Sequence, residues 1–329
     1  MQRTQNFKRN GDLEQLLGEI NDLLAPVEEH LLPTCTGRDY PVVFVVGPLR
    51  SGSTLMMQWL ASLGHFAYPT NLLSRFYKAP ALGAKIQMML TDERYRFKEE
   101  LDDFASVQAF VSENGKTKGS LAPNEFWYFW RRFLPFGELD YLPDETLLER
   151  TDTQLLRSEI TALSNLYEKP FAMKAMILNY NIGFLSRVFP NAIFLYTKRD
   201  PVTNIASALQ AREKQHGDVR QWYSFKIPEY EMLRDIADPF EQTAGQIYCI
   251  NRAVEAGLSG LPEARKLVVE YEAFCADPKH YYDALLERVE AAGYRIDAPY
   301  RGEERFSVTR KEHDPRVLRA YEKFAKEHP

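Results

Sequence analysis

Arg50-Ser51-Gly52-Ser53-Thr54 is the stretch of this 329-residue chain best equipped for chemistry. The apolar, β-branched run Val42 to Val46 precedes it, and Gly47 and Pro48 stop that run as they would stop a buried strand. Residues 55–63 continue as a helical pattern, with Gly64 placed to cap it. Strand, small-residue loop and helix N-terminus together make an anion site. The first helical N–H groups have no intrahelical partner, and the helix dipole favours negative charge there by about 0.3–1 kcal/mol. Side chains this small let a phosphate or sulfate oxygen reach the backbone, and Arg50 adds a fixed positive fork.

A second candidate is NEFWYFWRRFLPF, residues 124–136, the densest aromatic stretch. Aromatic residues load cores heavily, so one use is a helix buried on several sides. The other is the wall or lid of an apolar pocket, with Glu125 and Arg131 as its few placed polar groups.

The loop fits a Walker A template, G-x-x-x-x-G-K-[S/T], at Gly47, Gly52 and Thr54, but Ser53 stands where the lysine belongs. The cation lies three positions earlier, at Arg50. G-P-L-R-S-G-S-T-L instead resembles the 5′-phosphosulfate loop of sulfotransferases that use 3′-phosphoadenosine 5′-phosphosulfate (PAPS), whose core is [K/R]-S-G-[T/S]-T. R-D-P-V-T-N-I-A-S supplies a second match, an arginine at a strand end and a serine eight residues on, Arg199 and Ser207. F-A-M-K-A-M and V-V-E-Y-E-A-F-C-A-D-P are also similar to the family, and the resemblance runs in order from about residue 41 to 292. It implies PAPS as co-substrate, no metal, and a small-molecule, carbohydrate or lipid acceptor. Arg50 and the N–H groups of Ser51, Gly52, Ser53 and Thr54 would hold the 5′-phosphosulfate, while Arg199 and Ser207 would bind the 3′-phosphate. Lys174 would stabilise the bridging oxygen as the sulfuryl group moves in line to the acceptor.

Two departures matter. Cytosolic members carry K-x-H on the second strand, where this chain has Lys174-Ala175-Met176, and methionine cannot take a proton. Other branches use a glutamate, which makes Glu125 the first choice of base, with partial burial expected to raise its pKa. His65, just beyond the loop helix, is the second choice, although a helix-end histidine also caps carbonyls. Many members also place a tryptophan after the loop's last threonine; here it is Leu55, and Arg310 in the basic tail is expected to help close over the nucleotide. A P-loop kinase using Asp200 for magnesium is the rival enzyme, with Ser53 counting against it. A non-catalytic nucleotide-binding protein of the same fold is the other alternative.

The elements that must position these groups alternate. Strands are expected over 171–177, 193–197 and 266–270 besides the first, and helices over 181–189, 201–214, 246–256 and 279–292. Asp200 and Pro201 suit the cap and first turn of their helix. Such alternation implies an α/β fold with a doubly wound, mainly parallel sheet. Residues 1–40 read as a helical extension, 41–300 as the main domain with insertions near 65–165 and 217–260, and 301–329 as a charged tail. Leu13, Leu16, Leu17, Ile20, Leu23 and Leu24 form one helix face that Pro26 should end, for packing on the domain or on a second copy of the chain. Residues 92–106 read as a solvated helix.

A net charge of −5 argues against general nucleic-acid binding. Cys35, Cys249 and Cys275 lack metal-site spacing and suit a reducing compartment. With neither an apolar leader core nor a run of eighteen apolar residues, a cytoplasmic protein is expected.

Overall fold

The computed structural model describes residues 4, 10–95, 112–113, 116–308 and 314–328. In chain order its strands are β1 (Val42–Val46), β2 (Ser112–Glu113), β3 (Lys116–Thr117), β4 (Phe171–Lys174), β5 (Ile193–Lys198) and β6 (Lys266–Glu270). β2 and β3 form a separate small antiparallel pair. The other strands make one all-parallel sheet in the order β4-β1-β5-β6.

Successive residues of β1 serve opposite faces. Phe44 and Val46 pack into one core with Trp130, Phe184, Phe194 and Ile250, whereas Val43 and Val45 join Met56, Trp59, Leu195 and Leu285 in the other. Burial on both faces is why the strand reads as an unbroken apolar run rather than an alternating one. From β1 the chain goes to β4 on one side and then crosses to β5 on the other. The order therefore reverses at β1, and a crevice opens beyond the carboxyl ends of β1 and β5.

Several boundaries differ from the sequence reading, each for a local reason. β4 stops at Lys174 because, after a last ladder bond from Ala175 N–H to Val45 O at 2.9 Å, the chain turns through the 3-10 segment Met176–Leu178. The helix expected from 246 begins earlier, as Pro239–Ser259, with Asp238 accepting from Phe240 N–H at its cap. The N-terminal helix, Gly11–Leu31, runs through Pro26 instead of ending there. Beyond the proline it is anchored by Glu28, whose carboxylate accepts the N–H groups of Ala81 (2.7 Å) and Leu82 (3.0 Å) at the start of the helix Pro80–Thr91. Buried Asn21 bonds Arg75 O and Lys78 N–H on the same side. Polar anchors thus decide its docking, and Leu16 and Leu23 of the expected apolar face are exposed.

The charged tail contains an unforeseen helix, Pro315–Glu327, which buries Val317, Ala320 and Phe324 at i, i+3 and i+7 and packs on Pro239–Ser259. Of the helix expected over 92–106, Glu93–Tyr95 form a 3-10 turn, and residues 96–106 lie outside the described residues. Among the described residues no helix is long and apolar enough to cross a membrane.

Glu159, buried on the helix Thr153–Tyr167, pairs with Arg132, yet burial pushes its carboxyl up to about 8. A carboxyl raised on folding stabilises the fold below its unfolded value, and that contribution is lost as pH rises through the folded value. Thermal unfolding from about pH 5 to about pH 9 should therefore show a shallower decline for Glu159→Gln than for the parent chain; equal slopes would contradict the assignment.

Candidate active site

The loop after β1 is held from below by β5. Gly47 has φ 134°, and a Cβ there would sit 2.5 Å from Thr197 O, so only glycine passes this close to the neighbouring strand. Asn179 locks the turn, donating to Gly47 O at 2.7 Å and accepting Gly47 N–H at 2.9 Å. Thr197 Oγ1 donates to Val46 O at 3.1 Å and lies 2.7 Å from Ser51 Oγ, and Asn204 Nδ2 donates to Leu49 O at 2.7 Å. Arg50 is left-handed (φ 62°), a conformation that costs an L-residue roughly 1–2 kcal/mol. Gly52 follows at φ 98° and opens the helix Ser53–Ser62; the Tyr271 ring lies 2.2 Å from where its Cβ would be.

Above this loop opens a cavity of about 270 Å3, lined by Arg50, Gly52, Ser53, Thr54, Glu125, Lys174 and Arg199, with Trp127, Trp130, Met176, Tyr223, Phe225 and Tyr271 among its apolar and aromatic walls. Arg199 Nη1 donates to Arg50 O at 3.2 Å, and Arg50 Nε donates to Ser207 Oγ at 3.2 Å. The Arg199 guanidinium lies 4.7 Å from the Tyr271 ring centroid and 3.8 Å from Glu272, while its buried Nε lacks a hydrogen-bond acceptor among the described residues. Lys174, only 6 % exposed, donates to Thr54 Oγ1 at 3.0 Å and to Glu125 Oε1 at 2.9 Å. Trp127 Nε1–H donates to Glu125 Oε2 at 2.6 Å. Trp130 Nε1–H donates to Lys174 O at 2.8 Å, which fixes the end of β4. Three cations, a helix N-terminus and one carboxylate therefore face one cavity. It can take up a multiply charged anion and, beside it, hold a carboxylate for proton transfer.

Burial alone would raise the Glu125 carboxyl, as the sequence reading expected. The Lys174 ammonium, the hydrogen bonds from Lys174 and Trp127, and the charge of Arg50 together outweigh it and hold the group below the usual carboxylate range. The expected direction is thus reversed.

Arg50, Gly52, Ser53, Thr54, Glu125, Lys174 and Arg199 come together as a set. Ser51 does not line the cavity; it is buried beneath the loop against Thr197, and Ser207 stands behind Arg50 rather than in the wall. His65 is away from it. It follows the far end of the helix Ser53–Ser62, roughly 15 Å along the axis, beside Tyr282 at 6.2 Å between ring centroids. Burial, with Lys169 and Arg301, holds its pKa down; the expectation of His65 as a base is corrected on distance. Arg131 also misses the cavity, lying over the outer face of Trp127 (5.5 Å) and pairing with Asp140 at 3.1 Å. Arg310 lies outside the described residues. Asp200 caps its helix by accepting Thr203 N–H at 2.7 Å. Among the described residues no group of three or more His, Cys, Asp or Glu side chains is placed to hold a metal ion.

Asn179, Tyr223, Phe225 and Tyr271 were not among the expected site residues. Tyr271 carried a usable signal, since it is the first residue after a parallel strand, on the edge where ligands bind. The Gly52 packing makes a comparison possible. Gly52→Ala should destabilise the chain by about 2–5 kcal/mol in urea unfolding, the left-handed backbone (about 1–2 kcal/mol) adding to the overlap with Tyr271 (about 1–3 kcal/mol). Gly64→Ala, also at positive φ but with open space around its Cβ, should lose only the cost of the left-handed backbone, about 1–2 kcal/mol. Equal losses would contradict the close approach of Tyr271.

Comparison with known proteins places these residues in context. The family model described as "Sulfotransferase family" matches residues 41–292. No curated protein matches the chain. Solved structures similar to it include sulfotransferase STF9 from Mycobacterium avium (14 % identity, 97 % of this chain and 76 % of that one, TM-score 0.49). Sulfotransferase STF1 from Mycobacterium tuberculosis H37Rv is similar at 13 % identity (93 % and 76 %, TM-score 0.49). A sulfotransferase from Alicyclobacillus acidocaldarius is similar at 16 % identity (89 % and 93 %, TM-score 0.40). The family match spans the anion loop, Glu125, Lys174, Arg199 and Ser207 alike, and the chain belongs to the sulfotransferase family.

Proposed function

We propose that the cavity binds PAPS and that the protein moves its sulfuryl group to a hydroxyl or amine of a small-molecule, carbohydrate or lipid acceptor. The observation that carries this reading is the convergence of Arg50 and Arg199, 149 residues apart, on one cavity, with Arg199 bonded to the carbonyl of Arg50. Two further features fit a doubly anionic nucleotide: the bare Cα of Gly52 at a helix N-terminus, and the donor-rich Arg199 whose Nε has no hydrogen-bond acceptor among the described residues.

In this reading the N–H groups at the start of the helix Ser53–Ser62, together with Arg50, hold the 5′-phosphosulfate. Arg199 takes the 3′-phosphate, and Ser207, outside the cavity wall, acts on it only through the Arg50 guanidinium that it holds. The donor supplies an activated S–O bond to phosphate. As that bond breaks, its electron pair goes to the bridging oxygen, and Lys174 is the ammonium placed to meet the growing charge. The acceptor O–H or N–H forms the new bond to sulfur and releases its proton to Glu125. Met176 stands in the cavity wall where other members carry histidine, and its sulfur only accepts a hydrogen bond from Ser53 at 3.2 Å. Glu125 is 38 % exposed, enough for an acceptor to reach. Held ionised by Lys174, it is a weak base; a loose transition state, by analogy with phosphoryl transfer, asks more of orientation than of basicity.

In thermal-shift assays 3′-phosphoadenosine 5′-phosphate should stabilise the protein well beyond 5′-AMP or ATP at equal concentration. Arg199→Ala should erase the preference over 5′-AMP; no preference in the parent chain would contradict PAPS as donor. With labelled PAPS and a panel of phenols, sugars and long-chain alcohols, Lys174→Met should lower kcat by on the order of 10²–10³, and Glu125→Gln by about 10²–10⁴. Near-parental turnover by Glu125→Gln would show that another group is the base.

A further inference from the structure

Both oxygens of Glu125 are engaged, Oε1 by Lys174 at 2.9 Å and Oε2 by the indole N–H of Trp127 at 2.6 Å. The two partners differ in kind. In the proposed reaction Lys174 must serve the leaving phosphate and cannot keep its full hold on Glu125, whereas the indole N–H has no second task. Residues two apart do not face each other on a right-handed helix. Here they meet because Phe126 between them is left-handed (φ 56°, ψ 36°), a strained state for a bulky residue. That state is held in place. The Phe126 ring stacks on Phe129 at 4.5 Å, and its N–H donates to Asn124 Oδ1 at 2.8 Å.

The indole itself is braced from outside. Arg131 covers its outer face at 5.5 Å and pairs with Asp140 at 3.1 Å. Asp140 bonds Lys226 through two contacts of 2.8 Å, N–H to Lys226 O and Oδ2 from Lys226 N–H. Lys226 directly follows Tyr223, Ser224 and Phe225, which line another part of the cavity wall.

We propose that Trp127 is a positioning residue for sulfuryl transfer, its indole N–H orienting the Glu125 carboxylate toward the acceptor when Lys174 turns to the donor. The role rests on the reading of Glu125 as base. Besides Trp127, the groups facing Glu125 are Lys174 from β4, Arg50 from the loop after β1, and the Tyr223 hydroxyl. Removing the indole donor leaves the two cations in place but takes away one bond to the ionised form, so Glu125 then gains its proton at higher pH.

Trp127→Phe keeps an aromatic ring under Arg131 and removes the N–H. With labelled PAPS and 2-naphthol as the acceptor probe, kcat/KM on the acidic side of the pH profile should fall about tenfold. The midpoint of the acidic limb should move up in pH, and part of the loss should persist at alkaline pH, where Glu125 is ionised but no longer held in place by the indole. A readout independent of turnover is the Trp127 indole 1H–15N resonance, assigned by its loss in Trp127→Phe. It should titrate in step with the Glu125 carboxyl 13C signal and stop titrating in Glu125→Gln. A uniform loss at every pH, with the Glu125 midpoint unmoved, would overturn the role and leave Trp127 as packing. Near-parental turnover by Glu125→Gln would overturn the base reading, and this role with it, even where the resonance coupling persists.

Discussion

The parallel pairing of β1 with β5 is the constraint on which the rest of the site depends. Val46 lies opposite Tyr196, so both strands deliver their following loops to the same edge at the same height. The contact is sealed by hydroxyls and backbone, Ser51 to Thr197 and Thr197 to Val46 O, in a region where no side chain larger than hydrogen fits at position 47. Because the order of the sheet reverses at β1, a crevice opens above this edge. Arg50 and Arg199 enter it as neighbours although the sequence separates them widely.

Crowding Arg50, Lys174 and Arg199 around one cavity is unfavourable in itself. Two unit charges 4 Å apart repel by about 4 kcal/mol at an effective dielectric of 20. The chain offsets this with Glu125 on Lys174, Glu272 near Arg199 and the Ser207 hydroxyl on Arg50. These partners are partial, and the Arg199 Nε has no hydrogen-bond acceptor among the described residues. An anion with charge at two separated points would relieve the repulsion at both ends. The same balance explains why the Glu125 carboxyl is held below its ordinary range although burial pushes it up.

Much of the fold and of the anion loop was legible because both are written locally. An apolar run, a glycine and small residues before a helical pattern specify strand, turn and helix without reference to the rest of the chain. The extent of Gly11–Leu31 was not legible, since the proline signal was overridden by Glu28 reaching the N-terminus of a helix more than fifty residues on. The pKa direction at Glu125 was equally hidden, because it depends on a lysine on another strand and an indole two residues away. His65 looked close in sequence and is distant in space because a whole helix separates it from the loop. The walls supplied by Tyr223, Phe225 and Tyr271 come from segments whose approach only the tertiary fold decides.

On the proposed reading, one nucleotide spans the two arginines. A crystal structure of the protein with 3′-phosphoadenosine 5′-phosphate tests it most directly. The expected complex has the 5′-phosphate on the N–H groups that begin the helix Ser53–Ser62 beside Arg50, and the 3′-phosphate on Arg199. A nucleotide bound elsewhere, or one that touches the loop while its 3′-phosphate points away from Arg199, would contradict it.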